Sequence, residues 1–397
     1  MVERRHNNLV LIHEVVSSSR NDFSLAIPEN YSRQQLIEEY QRRMDEAERF
    51  NQDPFSDFDD LDMMMWYLYR PTNLNPNKEK SAKTVRAYKR ILEQFINHLL
   101  QYGHEIVLDL KFPESRDNIS LFKLLEKRHL RRYQEWLAKR SPHVVKNGPY
   151  SPATLENKIT VIKTFFKTLY QWGYIEKPIH EGFLSVGVSK DERPNRDAGP
   201  QDVLKLLEAF DKMGHIPMFT FIQVLTSTGM RNEELCRLKV KDLKQDTILG
   251  GFYLQVRGKG NKARQIPLRP KTLETIKRFR AARGLKPLHE ADPNEPLFTT
   301  NRMKAYSPSY FSQYFNSQIK LLPKAILEDF QHIEITPHLF RHAFAIISRL
   351  EGIDVYTIMR SLGHERIETT EIYLEKVFEK ERHAIHQWSD GVLGRYI

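Results

Sequence analysis

Residues 336–344 read "TPHLFRHAF" and place His338, Arg341 and His342 within five positions. Spacings of three and four put these side chains on neighbouring turns of one helical face. Such a group could ligate a metal, line a basic DNA-facing turn or hold a phosphate. No Glu follows His338 to complete H-E-x-x-H, and Arg341 between the two imidazoles would repel a cation, so zinc is poorly matched. Three further, separated stretches of the chain carry unusual polar residues. In "TSTGMRNEELCRLKVKDL", Arg231 follows a Gly-Met turn and precedes a helix with Leu235, Leu238 and Leu243. In "GFYLQVRGKGNKARQIPL", two alternating strands flank "GKGNK", a β-hairpin with Lys259 and Lys262 at its tip. That turn does not fit the GxxxxGK[ST] nucleotide loop. In "DVYTIMRSLGHERIETTEIYLEK", a helix with Val355, Ile358, Met359 and Leu362 stops at Gly363, exposes His364 in a turn, and is followed by a helix carrying Tyr373. Each feature alone has an ordinary explanation: a glycine hairpin, a solvated charge, a packed tyrosine. Their order and combination need a common one.

The elements that must position these residues are mostly helices. Thr336 can cap the opening helix, Pro337 suits its first position, and Leu339, Ala343, Phe344, Ile347 and Leu350 form its buried stripe. Residues 1–76 form an acidic extension, with one helix at "SRQQLIEEYQRRMDEAERF" and a loop at "NQDPFSDFDD". From residue 77 to 183 three helical stretches follow, the first closing near Gly103 and the third starting with Ser151 and Pro152. Their polar positions carry Lys83, Arg86, Lys89, Arg90, Arg131, Arg132, Lys158 and Lys163, either a solvated face or a surface that grips phosphates. The polar, Gly- and Pro-containing stretch 184–199 reads as a linker, and residues 200–397 as a second helical domain.

Composition bounds the possibilities. At 397 residues, two or three domains are expected, and 40% hydrophobic content with 11% aromatics suffices for real cores. The net charge is +10, yet residues 1–70 hold eight arginines against fourteen acidic side chains, so the remainder carries +16. That suits a polyanionic partner. The lone Cys236 rules out an internal disulfide framework and fits a small buried hydrophobe. "MMMWYLY" at 63–69 is far too short to span a bilayer, and no signal-peptide pattern opens the chain, so a cytoplasmic protein is expected.

The ordered set "TGMRNEEL", "VRGKGNKARQIPL", "TPHLFRHAFA" and "LGHERIETTEIYLE" resembles the signature of the tyrosine recombinase (lambda-integrase-like) family, over roughly residues 78–385. It is most similar to the Xer-like and mobile-element integrase or transposase branches. The resemblance implies a mainly α fold: a helical core-binding (SAM-like) domain, then an α+β catalytic domain with a small β-sheet or hairpin, together forming a C-shaped DNA clamp. By motif it implies a catalytic set of Arg231, Lys259, His338, Arg341, His364 and Tyr373. Lys262 and the basic positions above would contact DNA, and His342 would have a structural role.

In that chemistry, Tyr373 attacks a DNA phosphodiester while two arginines hold its non-bridging oxygens. Lys259 protonates the 5′ leaving oxygen, His338 handles the tyrosine proton, and His364 hydrogen-bonds the phosphate. The implied product is a 3′-phosphotyrosyl linkage, made without metal, ATP or other cofactor. The implied partners are double-stranded recombination sites, a tetramer of this chain in which the helix after Tyr373 would dock on a neighbour, and accessory DNA-bending or directionality factors. The acidic extension favours an integrase or transposase of a mobile element over an Xer-type dimer resolvase. A type IB topoisomerase-like enzyme and a non-catalytic DNA-binding factor are the remaining alternatives.

Overall fold

The computed structural model describes residues 23–27, 31–75, 78–110, 120–187, 196–258 and 262–387. The chain divides into two units, Met1–Arg193 and Pro194–Ile397. The described part of the first is helical: α1 (Arg33–Arg49), α2 (Asp60–Tyr69), α3 (Ala82–Ile106), α4 (Leu121–Leu124), α5 (Lys127–Lys139), α6 (Pro142–Asn147) and α7 (Pro152–Gln171). Side-chain oxygens of Ser32, Asp59, Ser81, Ser120 and Ser151 cap α1, α2, α3, α4 and α7 by accepting from a backbone N–H three residues on.

Phe95 of α3, Trp136 of α5 and Phe165 and Phe166 of α7 share one core with Met63 and Met64 of α2. The described part of the acidic segment is thus built into the helical unit. Its buried Asp60 accepts from the Tyr174 hydroxyl at 2.8 Å and the Phe122 amide at 3.2 Å. Two helix boundaries differ from expectation. α3 continues past Gly103 to Ile106, bending at Tyr102, and ends where Val107 turns left-handed. The stretch after Ser120 breaks into α4 and α5 because Leu125, in extended backbone, buries its side chain in the core. The expected linker is tied down at its start: the Gln134 side chain donates to the Leu184 carbonyl and accepts from its amide. At its other end Ala198 is buried in the second unit.

The second unit contains α8 (Pro200–Lys212), α9 (Ile216–Thr228), α10 (Asn232–Arg237), β1 (Leu243–Gln245), β2 (Phe252–Arg257), β3 (Ala263–Leu268), α11 (Pro270–Ala282), α12 (Pro308–Ile319), α13 (Lys324–Asp329), α14 (Pro337–Leu350), α15 (Val355–Leu362) and α16 (Ile367–Glu381). The strands form an antiparallel sheet in the order β1-β2-β3, with Val256 opposite Arg264. Leu254, Val256 and Ile266 face the core. Phe221 of α9 sits at its centre, edge-on to Phe298, Tyr306 and Phe311.

Helix α14 packs on α9 and α16 and so positions the opening motif. Pro337 takes its first position, but Thr336 caps through backbone geometry only; its Oγ1 is buried without a hydrogen bond. Leu350, expected in the buried stripe, is exposed at the helix end. The stretch after Tyr373 is not one continuous helix: α16 ends at Glu381 and a short 3-10 turn covers Ala384–Gln387. No helix among the described residues is long and apolar enough to cross a membrane.

Candidate active site

Two turns and a helix form the surroundings of Tyr373. The first joins α9 to α10. Gly229 closes α9 with φ +59, and a Cβ there would lie 2.8 Å from Leu362 and Phe344 atoms, so only glycine fits. Arg231 follows as the N-cap of α10, one-third exposed. The second element is α14, carrying His338, Arg341 and His342. The third is the Gly363–His364 turn between α15 and α16, where Gly363 has φ +66.

Arg341 is fully buried. Its Nη1 donates to the Gly229 carbonyl at 2.6 Å and its Nη2 to the Leu362 carbonyl at 2.7 Å. Both carbonyls lie at helix C-termini, where a cation is favoured. Nε has no partner. Burial lowers the Arg341 pKa to about 10, with the like charge of Arg231 adding to the fall and Tyr373 opposing it. The guanidinium stays charged at neutral pH.

Tyr373, nearly buried on α16, faces three histidines. Its hydroxyl lies 3.3 Å from His338 Nε2, at the long end of hydrogen-bonding range. His342 stacks on its ring, with centroids 3.7 Å apart, and His364 meets it edge-on at 5.1 Å. All three imidazoles are held neutral. Burial, then the charges of Arg196, Arg341 and Arg231, lowers His338 to about 4. Burial is also the first cause for His342 and His364, each lowered to about 3. The Thr370 Oγ1 lies 2.8 Å from His364 Nδ1. A hydroxyl donating there leaves the neutral ring's proton on Nε2, a buried atom without a protein partner. His364 is therefore not exposed in its turn as expected; α16 folds over it because Thr370 and Tyr373 bracket the ring.

The structure brings Arg231, His338, Arg341, His364 and Tyr373 into one unit. Lys259 lies outside the described residues. Lys262 is exposed and paired with Glu365 at 2.7 Å. The other basic positions lie on helices of the first unit. Lys83, Arg86, Arg90, Arg131 and Lys163 are exposed. Lys89 is 3.7 Å from Glu93. Arg132 is held by Asp109 and the Val107 carbonyl, both at 2.8 Å. Lys158 is half-buried over the Tyr150 ring beside Gln94. Cys236 is buried, its thiol pushed up to about 12. Among the described residues no cluster of three or more His, Cys, Asp or Glu could hold a metal.

Four residues beside the site were not singled out from sequence. Glu234 accepts from the Arg231 amide at 2.8 Å and from its Nη1 at 3.2 Å. Arg264 forks onto Glu234. Arg196, within the expected linker, adds positive charge near His338 and His342. Thr370 sets His364. Only Glu234 had a local signal, its capping-box spacing from the start of a helix.

A hydroxyl beside a buried arginine, neutral imidazoles and buried polar atoms without partners is arranged as a nucleophile for an anionic group would be. Comparison with known proteins places it. Residues 199–380 match the phage integrase family model. The chain is 28% identical over 300 residues to the tyrosine recombinase XerC of Thermodesulfovibrio yellowstonii, covering 75% of this chain and 86% of the relative. Among solved structures it is similar to a XerH site-specific recombinase bound to a palindromic difH substrate, TM-score 0.53 at 19% identity, covering 93% of this chain and all of that one. It is also similar to the Tn1549 transposon integrase bound to transposon right-end DNA, TM-score 0.52 at 19% identity, covering 81% and 98%. Residues 199–380 thus form a phage integrase family domain, and the XerC and XerD relatives, matched over three-quarters of the chain or more, support tyrosine site-specific recombinase activity.

Proposed function

We propose that this chain cleaves and rejoins double-stranded DNA at recombination sites, using Tyr373 as nucleophile. The observation that carries the reading is the Tyr373 hydroxyl lying 3.3 Å from a neutral His338 while two buried polar atoms nearby, Arg341 Nε and His364 Nε2, lack protein partners. Buried donors normally have partners, and a scissile phosphate would supply them. Its charge would also offset the arginines that depress His338, making that imidazole a better base in the complex than in the free protein.

In the reaction the Tyr373 oxygen bonds to phosphorus and passes its proton to His338. The bond from phosphorus to the 5′ oxygen breaks, and Lys259 protonates the leaving oxygen. Arg231 and Arg341 stabilise the charge on the non-bridging oxygens, and His364 donates to one of them. The phosphotyrosyl ester keeps the bond energy, so a second 5′ hydroxyl can reverse the step onto a new strand. The basic positions on α3, α5 and α7, with Lys262, would bind the DNA backbone. Four copies, with the segment after α16 docked in trans and accessory DNA-bending or directionality factors, would complete the exchange, in the cytoplasm at the nucleoid.

The element served is an integrating or transposing one, with Xer-type dimer resolution as the second reading. The Tn1549 likeness supports the first, and the XerC and XerD relatives the second. The acidic N-terminal segment does not separate them, because the XerH likeness spans 93% of the chain. The test is a duplex nicked beside the cleavage point, drawn from genomic DNA flanking the gene, which traps a covalent complex. Complexes mapping to element ends support integration or transposition, and complexes at a single chromosomal site support dimer resolution. Relaxation of plasmid lacking any site would indicate a topoisomerase. No covalent complex on any duplex would leave only DNA binding, and an equal yield with Tyr373→Phe would overturn Tyr373 as the nucleophile.

A further inference from the structure

Arg264, on β3, is only 14% exposed and forks onto a carboxylate that is 3% exposed. Its Nη1 and Nη2 donate to Glu234 Oε1 and Oε2 at 2.9 and 2.8 Å. Its Nε donates to the Ser361 carbonyl at 3.2 Å, one residue before the carbonyl held by Arg341. Two glycines close around the pair. A Cβ on Gly258 would lie 3.1 Å from Glu234 Oε1, and one on Gly363 would lie 3.3 Å from Arg264 Cδ and Nη1. One buried ion pair therefore joins the Arg231 turn, the base of the hairpin and the Gly363–His364 turn.

The charges explain why a second arginine is needed. Glu234 anchors the Arg231 turn through the backbone amide, but a buried carboxylate with no other partner would also capture the nearest cation, Arg231 itself. Arg264 occupies both carboxylate oxygens in the stronger bidentate geometry. Arg231 is left with a single longer contact, 3.2 Å, and a side chain one-third exposed. We propose that Arg264 is a positioning residue of the cleavage reaction: by holding Glu234 it leaves the Arg231 guanidinium available to the scissile phosphate. This rests on the role given to Arg231 above.

The test uses the full-length protein and the nicked duplex on which the wild type forms its covalent complex. Arg264→Met leaves Glu234 unpaired, and Glu234→Gln with Arg264→Met removes both charges. Single-turnover rates of complex formation are read beside DNA affinity, the latter in a Tyr373→Phe background. Arg264→Met should slow cleavage about 100-fold, the scale of losing one transition-state donor, with affinity changed no more than about threefold. The double variant should recover at least about tenfold of that loss while the melting temperatures of the two variants stay alike; a recovery that tracks regained stability would mark a structural clamp and overturn the proposal. A wild-type rate in Arg264→Met, or no recovery in the double variant, overturns the proposal. If Arg264→Met fails to fold by thermal melting, Arg264→Gln takes its place under the same criteria. Absence of a wild-type complex would instead overturn the reading of Tyr373.

Discussion

His342 lies flat against Tyr373, with ring centroids 3.7 Å apart and planes inclined by 23°. The imidazole is neutral, so it orients the phenol ring without adding charge. Replacing it by Ala should slow covalent-complex formation several-fold, matching the ~0.5–1.5 kcal/mol of an aromatic pair. His342→Phe keeps a ring and should keep most of the rate. Single-turnover trapping compares the two, and equal losses would show that the stacked ring does not orient the nucleophile.

Tyr373→Phe removes the long hydrogen bond to His338 and the hydroxyl's contact with Arg341, and no packing. Thermal stability should change by less than about 1 kcal/mol, and DNA affinity should persist, while the covalent complex disappears. Residual covalent product on denaturing gels would place the nucleophile elsewhere.

The three neutral histidines couple stability to pH. Unfolded imidazoles titrate near 6.5, whereas His338 sits at about 4 and His342 and His364 at about 3 in the folded chain. Between those values the unfolded chain holds more protons, so stability falls as pH drops below about 6.5 and is insensitive to these groups above it. Melting temperature should fall most steeply near pH 5, and more gently in His342→Phe. A flat profile from pH 7 to 4.5 in the wild type would contradict burial of neutral rings.

Gly229→Ala combines a left-handed backbone with a Cβ 2.8 Å from Phe344 and Leu362. It also shifts the carbonyl that accepts from Arg341. Stability should drop by about 1–3 kcal/mol, with cleavage reduced further than DNA binding. Urea unfolding and complex trapping measure the two effects.

Local rules made much of this protein legible before any coordinates. Capping serines, the 3.6-residue apolar stripes and Gly363 as a helix stop are short-range physics, and they placed α1, α7, α14, α15 and the β2–β3 hairpin. The ordered motifs, through their resemblance to the tyrosine recombinases, also named Arg231, His338, Arg341, His364 and Tyr373 as one set, and the fold brings these five into one unit. Tertiary packing decided the rest. Leu125 breaks a helix because its side chain is wanted in a core, and α2 joins that core although its segment is acidic. Burial turned His364 from an expected turn residue into a neutral ring set by Thr370, and it put Arg341 between two helix C-termini. The Arg264–Glu234 pair spans 30 residues of sequence, and Arg196 acts on His338 from more than a hundred residues away. No local pattern encodes such pairs, because what joins them is electrostatics across a packed interior, where distance in space replaces distance along the chain.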